Sequence, residues 1–135
     1  ISIHANYDDY TIQTVGDIDL QSDYTNYKIG SVTGTANVKI VYGDFKADQV
    51  AENFKGMSID GTYANIKLGI NEKIPFQLNA ALSYGSIKTG DINFKNVNNV
   101  EKNSNHSFSG ITRNGTDQSP LIKVTGSYTD ITIKN

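Results

Sequence analysis

Three aspartates, Asp9, Asp44 and Asp130, recur two residues after a tyrosine and are the first place to look for chemistry. Two carboxylates at a fixed separation can divide acid and base work on a glycosidic bond. If each repeat forms one layer of strands, Asp9 and Asp44 lie two layers, or roughly 9–10 Å, apart. That is near the upper limit for an inverting glycosidase pair. The same position, however, holds Asn26, Asn65 and Ser86 in other repeats. Asp, Asn and Ser share the ability to bond nearby backbone and to tolerate an unusual dihedral. The column therefore reads as repeat-corner chemistry. A calcium site at the same corner would call for a Gly-Gly-x-Gly-x-Asp repeat, which is not present.

The tyrosines themselves are the second candidate. Tyr7, Tyr24, Tyr42, Tyr63, Tyr84 and Tyr128 occupy equivalent places. In a line they could form an aromatic platform for sugar. Each also shares the alternation parity of neighbours such as Val38 and Ile40, which predicts a buried core ladder instead. His4 and His106 are distant in sequence and lack companions at metal-ligand spacing. There is no nucleophile elbow, no phosphate loop and no cysteine. No catalytic residue, cofactor or metal is expected. Glycosylation sequons at Asn105 and Asn114 agree with an exposed loop.

The elements that must position these residues are strands. In Ala36–Val50, Ala36, Val38, Ile40 and Tyr42 alternate with polar residues, then Gly43-Asp44 interrupts and the parity restarts at Phe45 and Ala47. Related stretches run through Ile1, Ile3, Ala5 and Tyr7; Ile18, Leu20, Ser22 and Tyr24; Met57, Ile59, Gly61 and Tyr63; Leu78, Ala80, Leu82 and Tyr84; and Ile122, Val124, Gly126 and Tyr128. The tyrosines are 17, 18, 21, 21 and then 44 residues apart. A period near 20 marks a repeat architecture. The long gap spans two periods, with a faded copy at Phe108. Between Asn93 and Ser119 the alternation thins, and this Asn-rich segment reads as an excursion. Asn114-Gly115 within it is a hairpin signal.

Two all-β folds suit the repeat. In a parallel β-solenoid of about six or seven coils, equivalent strands stack and Tyr-x-[Asp/Asn] makes each corner. In an antiparallel meander or sandwich, the same step is a hairpin tip. Pairs such as Thr25-Asn26 and Thr129-Asp130 suit two-residue hairpin turns badly, because these favour Asn-Gly or a leading Gly. Stacked coils also give like residues a reason to recur. A solenoid is therefore expected, with the meander as the alternative. A lipid-facing barrel is disfavoured by outward residues such as Lys28, Lys39, Lys67 and Lys88.

At 135 residues the chain reads as one domain. Its net charge of −2 and pI near 5.6 lack the basic character of nucleic-acid binders. No apolar run has the length of a membrane helix. The chain begins at Ile1 inside an alternating strand, so it is expected to be the C-terminal part of a longer protein. Ile1 and Ile3 would then form an uncovered N-terminal edge prone to self-association.

The units VYGDFK, TYANIK and SYGSIK resemble the "putative adhesin" family of Gram-negative envelopes, including the auto-transporter-like head (GIN) domains. The resemblance spans nearly the whole chain outside Asn93–Ser119, although the Gly-Ser-Gly corners of head domains are missing. It implies a right-handed parallel β-helix, export to the envelope or cell exterior, and adhesion to a glycan or protein surface. It supplies no catalytic residues.

Overall fold

In the computed structural model, residues 2–7, 9–51, 54–71, 73–90 and 92–134 are described, except for the side chains of Ser2, Ala5 and Val15. Ile1, expected in the first inward row, lies outside the described residues. The described chain is all β, with no helix. The strands are β1 (Ser2–Asn6), β2 (Asp9–Val15), β3 (Ile18–Asp23), β4 (Asn26–Val32), β5 (Thr35–Val50) and β6 (Gly56–Ile70). They continue as β7 (Gln77–Ser83), β8 (Ile87–Lys88), β9 (Phe94–Lys102), β10 (Asn105–Thr112), β11 (Leu121–Ser127) and β12 (Asp130–Lys134).

Like residues pair with like. One ladder runs β1-β3-β5-β6-β11-β7, parallel throughout, with Leu20 opposite Val38 and Val38 opposite Ile59. A second parallel ladder runs β2-β4-β5-β6-β12-β8, with Tyr27 opposite Phe45 and Phe45 opposite Ile66. The long strands β5 and β6 belong to both ladders and turn at their tyrosines. Val38–Tyr42 and Phe45–Gln49 therefore lie in one strand and do not form a hairpin.

The apolar rows of the two ladders fill the core. Ile18, Leu20, Val38, Ile40, Ile59, Leu78, Ile122 and Val124 are buried on one side, and Tyr27, Ile29, Phe45, Ile66, Leu68, Ile131 and Ile133 on the other. A buried aliphatic side chain contributes roughly 1.5–3 kcal/mol, so each layer adds several such contributions and none stands without its neighbours.

The stacking order departs from the chain order. Residues 121–134 are inserted between the fourth and fifth copies: Lys123 lies opposite both Ser58 and Asn79, and Val124 opposite both Ile59 and Ala80. Tyr63 and Tyr84, expected on adjacent layers, are thus separated by Tyr128. The reason is physical degeneracy. Copies with matching inward rows can be neighbours in any order, so the period alone does not choose the sequence of layers.

Phe108, expected as a faded repeat position, belongs instead to an antiparallel pairing. β10 pairs β7 with Phe108 opposite Ala80, and β9 pairs β10. The Asn-rich excursion is therefore a structured hairpin over one end of the first ladder. Its tip is at Asn103-Ser104, with Asn103 at φ 56°. Asn114-Gly115 does not form that tip; Gly115 N–H donates to Thr112 O at 2.8 Å. The hairpin is seated by an aromatic group in which Phe94 makes edge-to-face contacts with Phe76 (5.8 Å) and Phe108 (5.3 Å).

Candidate functional site

The six tyrosines sit at the corner between the ladders, and all six have positive φ, between 52° and 59°. Tyrosine rarely adopts this region, at a cost of roughly 1–2 kcal/mol. Sequence reasoning assigned the unusual dihedral to the Asp/Asn corner; the tyrosine carries it instead. The left-handed residue resets the alternation, so the following residue turns inward, as buried Thr25, Ala64 and Thr129 show. The tyrosine side chain is sent outward.

The expected core ladder is consequently an exposed one, and this corrects the parity argument. Tyr24, Tyr42, Tyr63 and Tyr128 are 45–50% exposed, Tyr84 60% and Tyr7 77%. The rings stack in the order Tyr7, Tyr24, Tyr42, Tyr63, Tyr128, Tyr84. Centroid separations are 4.7–5.0 Å and interplanar angles 1–6°. Strand spacing dictates that step. Each contact contributes roughly 0.5–1.5 kcal/mol beyond area burial, comparable to the backbone cost of the corner.

Beside the ladder runs a polar column in the order Asp9, Asn26, Asp44, Asn65, Asp130, Ser86. Asn26 Nδ2 donates to Asp9 Oδ1 (3.0 Å), Asp44 N–H to Asn26 Oδ1 (3.0 Å), and Asn65 Nδ2 to Asp44 Oδ1 (3.2 Å). Ser86 donates from both N–H and Oγ to Asp130 Oδ1, each at 3.0 Å. Amides alternate with the first carboxylates, so like charges are not placed directly opposite each other. Asn26 stands between Asp9 and Asp44, the two acids weighed as a glycosidase pair. The column ties layer to layer.

His4 is exposed near Gln21 and Asp23, whereas His106 is half-buried with Nε2 2.8 Å from Asn99 Oδ1. They belong to opposite ends of the ladder. Among the described residues no group of three or more His, Cys, Asp or Glu is arranged to hold a metal, and no helix is long and apolar enough to cross a membrane.

Several depressions lie on the described surface. A recess of about 630 Å³ on the second ladder is bordered by Lys46, Lys67, Lys134 and Asp48. One of about 350 Å³ lies at the far end of the tyrosine ladder, bordered by Tyr84, Glu101, Asn103, Asn105, His106 and Asp130. Sequence reasoning missed this second grouping, because nothing in residues 84–130 announces that the hairpin tip returns to the tyrosine column.

No known protein-family profile matches the chain, and no curated protein matches it in sequence. A solved structure described as a "putative cell adhesion protein" from Clostridium sporogenes is similar in fold, with a TM-score of 0.58 and 15% identity. The match covers 87% of this chain and 54% of that one, so the chain spans about half the length of its structural neighbour. At that identity the likeness is one of fold.

Proposed function

We propose that the chain is a non-catalytic, adhesin-like module of the cell envelope or outer surface. It is a right-handed parallel β-solenoid of six coils that presents its tyrosine edge to a surface partner. The observation that carries this reading is the unbroken row of six half-exposed, stacked tyrosines. Aromatic residues are enriched at binding interfaces because each offers a large apolar body with a polar tip. A rigid stack fixes their spacing before a partner arrives, which lowers the ordering cost of binding. The fold shared with a protein described in terms of cell adhesion supports the same reading.

Exposure of the tyrosines in a line also favours a carbohydrate-binding module as a second reading. The test for both is an array of glycans and matrix proteins probed with the wild type and with Tyr42→Ser/Tyr63→Ser/Tyr84→Ser. Binding to one class, lost in the folded triple variant, is expected. Failure of the wild type to bind anything on the array, or full binding by the variant, contradicts the reading.

The N-terminal edge is a further contact in this proposal. β1 pairs only with β3 among the described residues, and Ile3 is half-buried there. Light scattering should show mass rising with concentration, and Ile3→Lys should suppress the rise. A concentration-independent monomer would count against an adhesive edge.

A further inference from the structure

A stacked ladder consumes the faces of its own rings. Tyr24, Tyr42, Tyr63 and Tyr128 each have a tyrosine on both faces, so they offer solvent only edges and hydroxyls. A pyranose packs its apolar C–H face flat against an aromatic face. Only the terminal rings, Tyr7 and Tyr84, can receive one in that way, and they are also the two most exposed.

The two ends differ. Beyond Tyr7 no further strand of the described residues is paired. Beyond Tyr84 the hairpin tip takes the place of another layer. Within the stack, the tyrosine N–H donates to the carbonyl of the residue preceding the next tyrosine: Tyr7 to Asp23 (3.1 Å), Tyr24 to Val41 (2.8 Å) and Tyr128 to Ser83 (2.7 Å). Tyr84 N–H makes the same bond, at 2.7 Å, to Ser104 in the hairpin tip. The hydrogen bond that a seventh layer would accept is thus made by a strand running antiparallel to β7, and Asn103, Ser104 and Asn105 supply no ring. What borders the open face of Tyr84 is polar: Glu101, Asn103, Asn105, His106 and Asp130, around a depression of about 350 Å³.

We propose that this end of the ladder is a binding site for a single hexopyranose unit of a glycan, stacked on Tyr84 where a seventh ring would stand. The inference rests on the surface-binding reading above and gives it a ligand class and a place. The pieces match the general build of a sugar site, an apolar platform with a few convergent polar groups. The Glu101 backbone lies in the β9–β10 ladder, but its carboxylate has no hydrogen-bond or ion-pair partner among the described residues and is available to accept from sugar hydroxyls. Asp130 uses Oδ1 for Ser86, and Asn105 uses Oδ1 to accept from Ser83 Oγ (2.9 Å). Their other polar atoms remain to be offered. The surrounding groups include two carboxylates and no lysine or arginine, which selects neutral sugars over sialic or uronic acids.

The test is saturation-transfer NMR on the whole chain with the methyl glycosides of glucose, galactose, mannose and N-acetylglucosamine, followed by titration of whichever binds. Binding of at least one is expected, with Tyr84 ring resonances shifting. Tyr84→Ala should weaken it by about tenfold or more, Glu101→Gln several-fold, and Tyr84→Phe should retain it because the face is kept. Lys39→Gln, an exposed strand residue outside the tyrosine row and away from this depression, should leave it unchanged. No binding by any of the four glycosides, or equal loss in folded Lys39→Gln, overturns the site. A wild type that binds on the surface array while Tyr84→Ala has no effect on that binding overturns this site alone and leaves the adhesin reading standing. Failure across the array removes both.

Discussion

The parallel stack and the hairpin that closes one end of it solve the same packing problem by different means. In the stack, each layer offers the next an identical strip: Leu20, Val38 and Ile59 stand opposite one another, as do Tyr27, Phe45 and Ile66. Periodicity does the specifying, and it can be read from any single copy. The hairpin has no such column. It is held by three phenylalanines in edge-to-face contact and by a reciprocal tie in which Thr112 N–H donates to Phe76 O (3.0 Å) and Phe76 N–H to Thr112 Oγ1 (3.1 Å). The lesson is that repetition makes a fold legible but leaves the order of its layers open, while the irregular end establishes where the stack stops.

The largest loss of stability is expected in the repeated core. Ile40 is 1% exposed and faces inward between Ser22 and Gly61. Ile40→Asp should cost more than about 4 kcal/mol, because a lone carboxylate is buried without a partner. Lys39→Gln, one residue away and exposed, should cost less than about 0.5 kcal/mol. Urea melts of the two variants check the pair, and similar losses would mean that the inward face is misassigned.

A smaller effect is expected where the inserted layer of residues 121–134 meets the fifth copy. A Cβ added at Gly85 would lie 1.9 Å from the carbonyl oxygen of Thr129. Gly85→Ala should therefore destabilise by about 2 kcal/mol or more, since backbone must shift to admit it. Thermal melts beside Ala81→Gly, an exposed strand position expected to cost about 0.5–1 kcal/mol, measure the difference. An unperturbed Gly85→Ala would mean that residues 128–130 do not pack against that turn.

The smallest effect is the most particular. Replacing a strand residue by Gly is ordinarily worse than replacing it by Ala. At Tyr42 the order should reverse, with Tyr42→Gly about 1 kcal/mol more stable than Tyr42→Ala, because φ is 58° there. Both should be less stable than the parent through loss of two stacking contacts. Denaturant melts showing Ala above Gly would remove the left-handed corner from the account.

The inward rows were legible in the sequence because burial and period 2 coincide: Ala36, Val38 and Ile40, or Ile122 and Val124, are buried where alternation places them. The tyrosines misled for the same reason. Their parity matched the core row, but a left-handed residue breaks the alternation at its own position, and no residue type there announced it. Asp44 and its counterparts were recognised as corner residues, while their bonding from layer to layer depends on a pairing that the sequence does not state. The grouping of Tyr84 with Glu101 and His106 was out of reach, because it depends on the hairpin folding back across the end of the ladder. The inserted position of residues 121–134 was equally hidden, since Ile122 and Val124 would suit any neighbouring layer.

The position of residues 121–134 between the fourth and fifth copies can be measured directly. The chain contains no cysteine, so introduced pairs report cleanly. Ser58 and Lys123 are exposed and directly opposite, as are Lys123 and Asn79, whereas Ser58 and Asn79 are separated by the intervening strand. Strands one step apart are within disulfide reach; those two steps apart, at roughly 9–10 Å, are not. Oxidation of Ser58→Cys/Lys123→Cys and of Lys123→Cys/Asn79→Cys should each give an intramolecular crosslink, and Ser58→Cys/Asn79→Cys should give none. A crosslink in the last variant, with none in the first two, would place the fourth and fifth copies side by side and contradict the account.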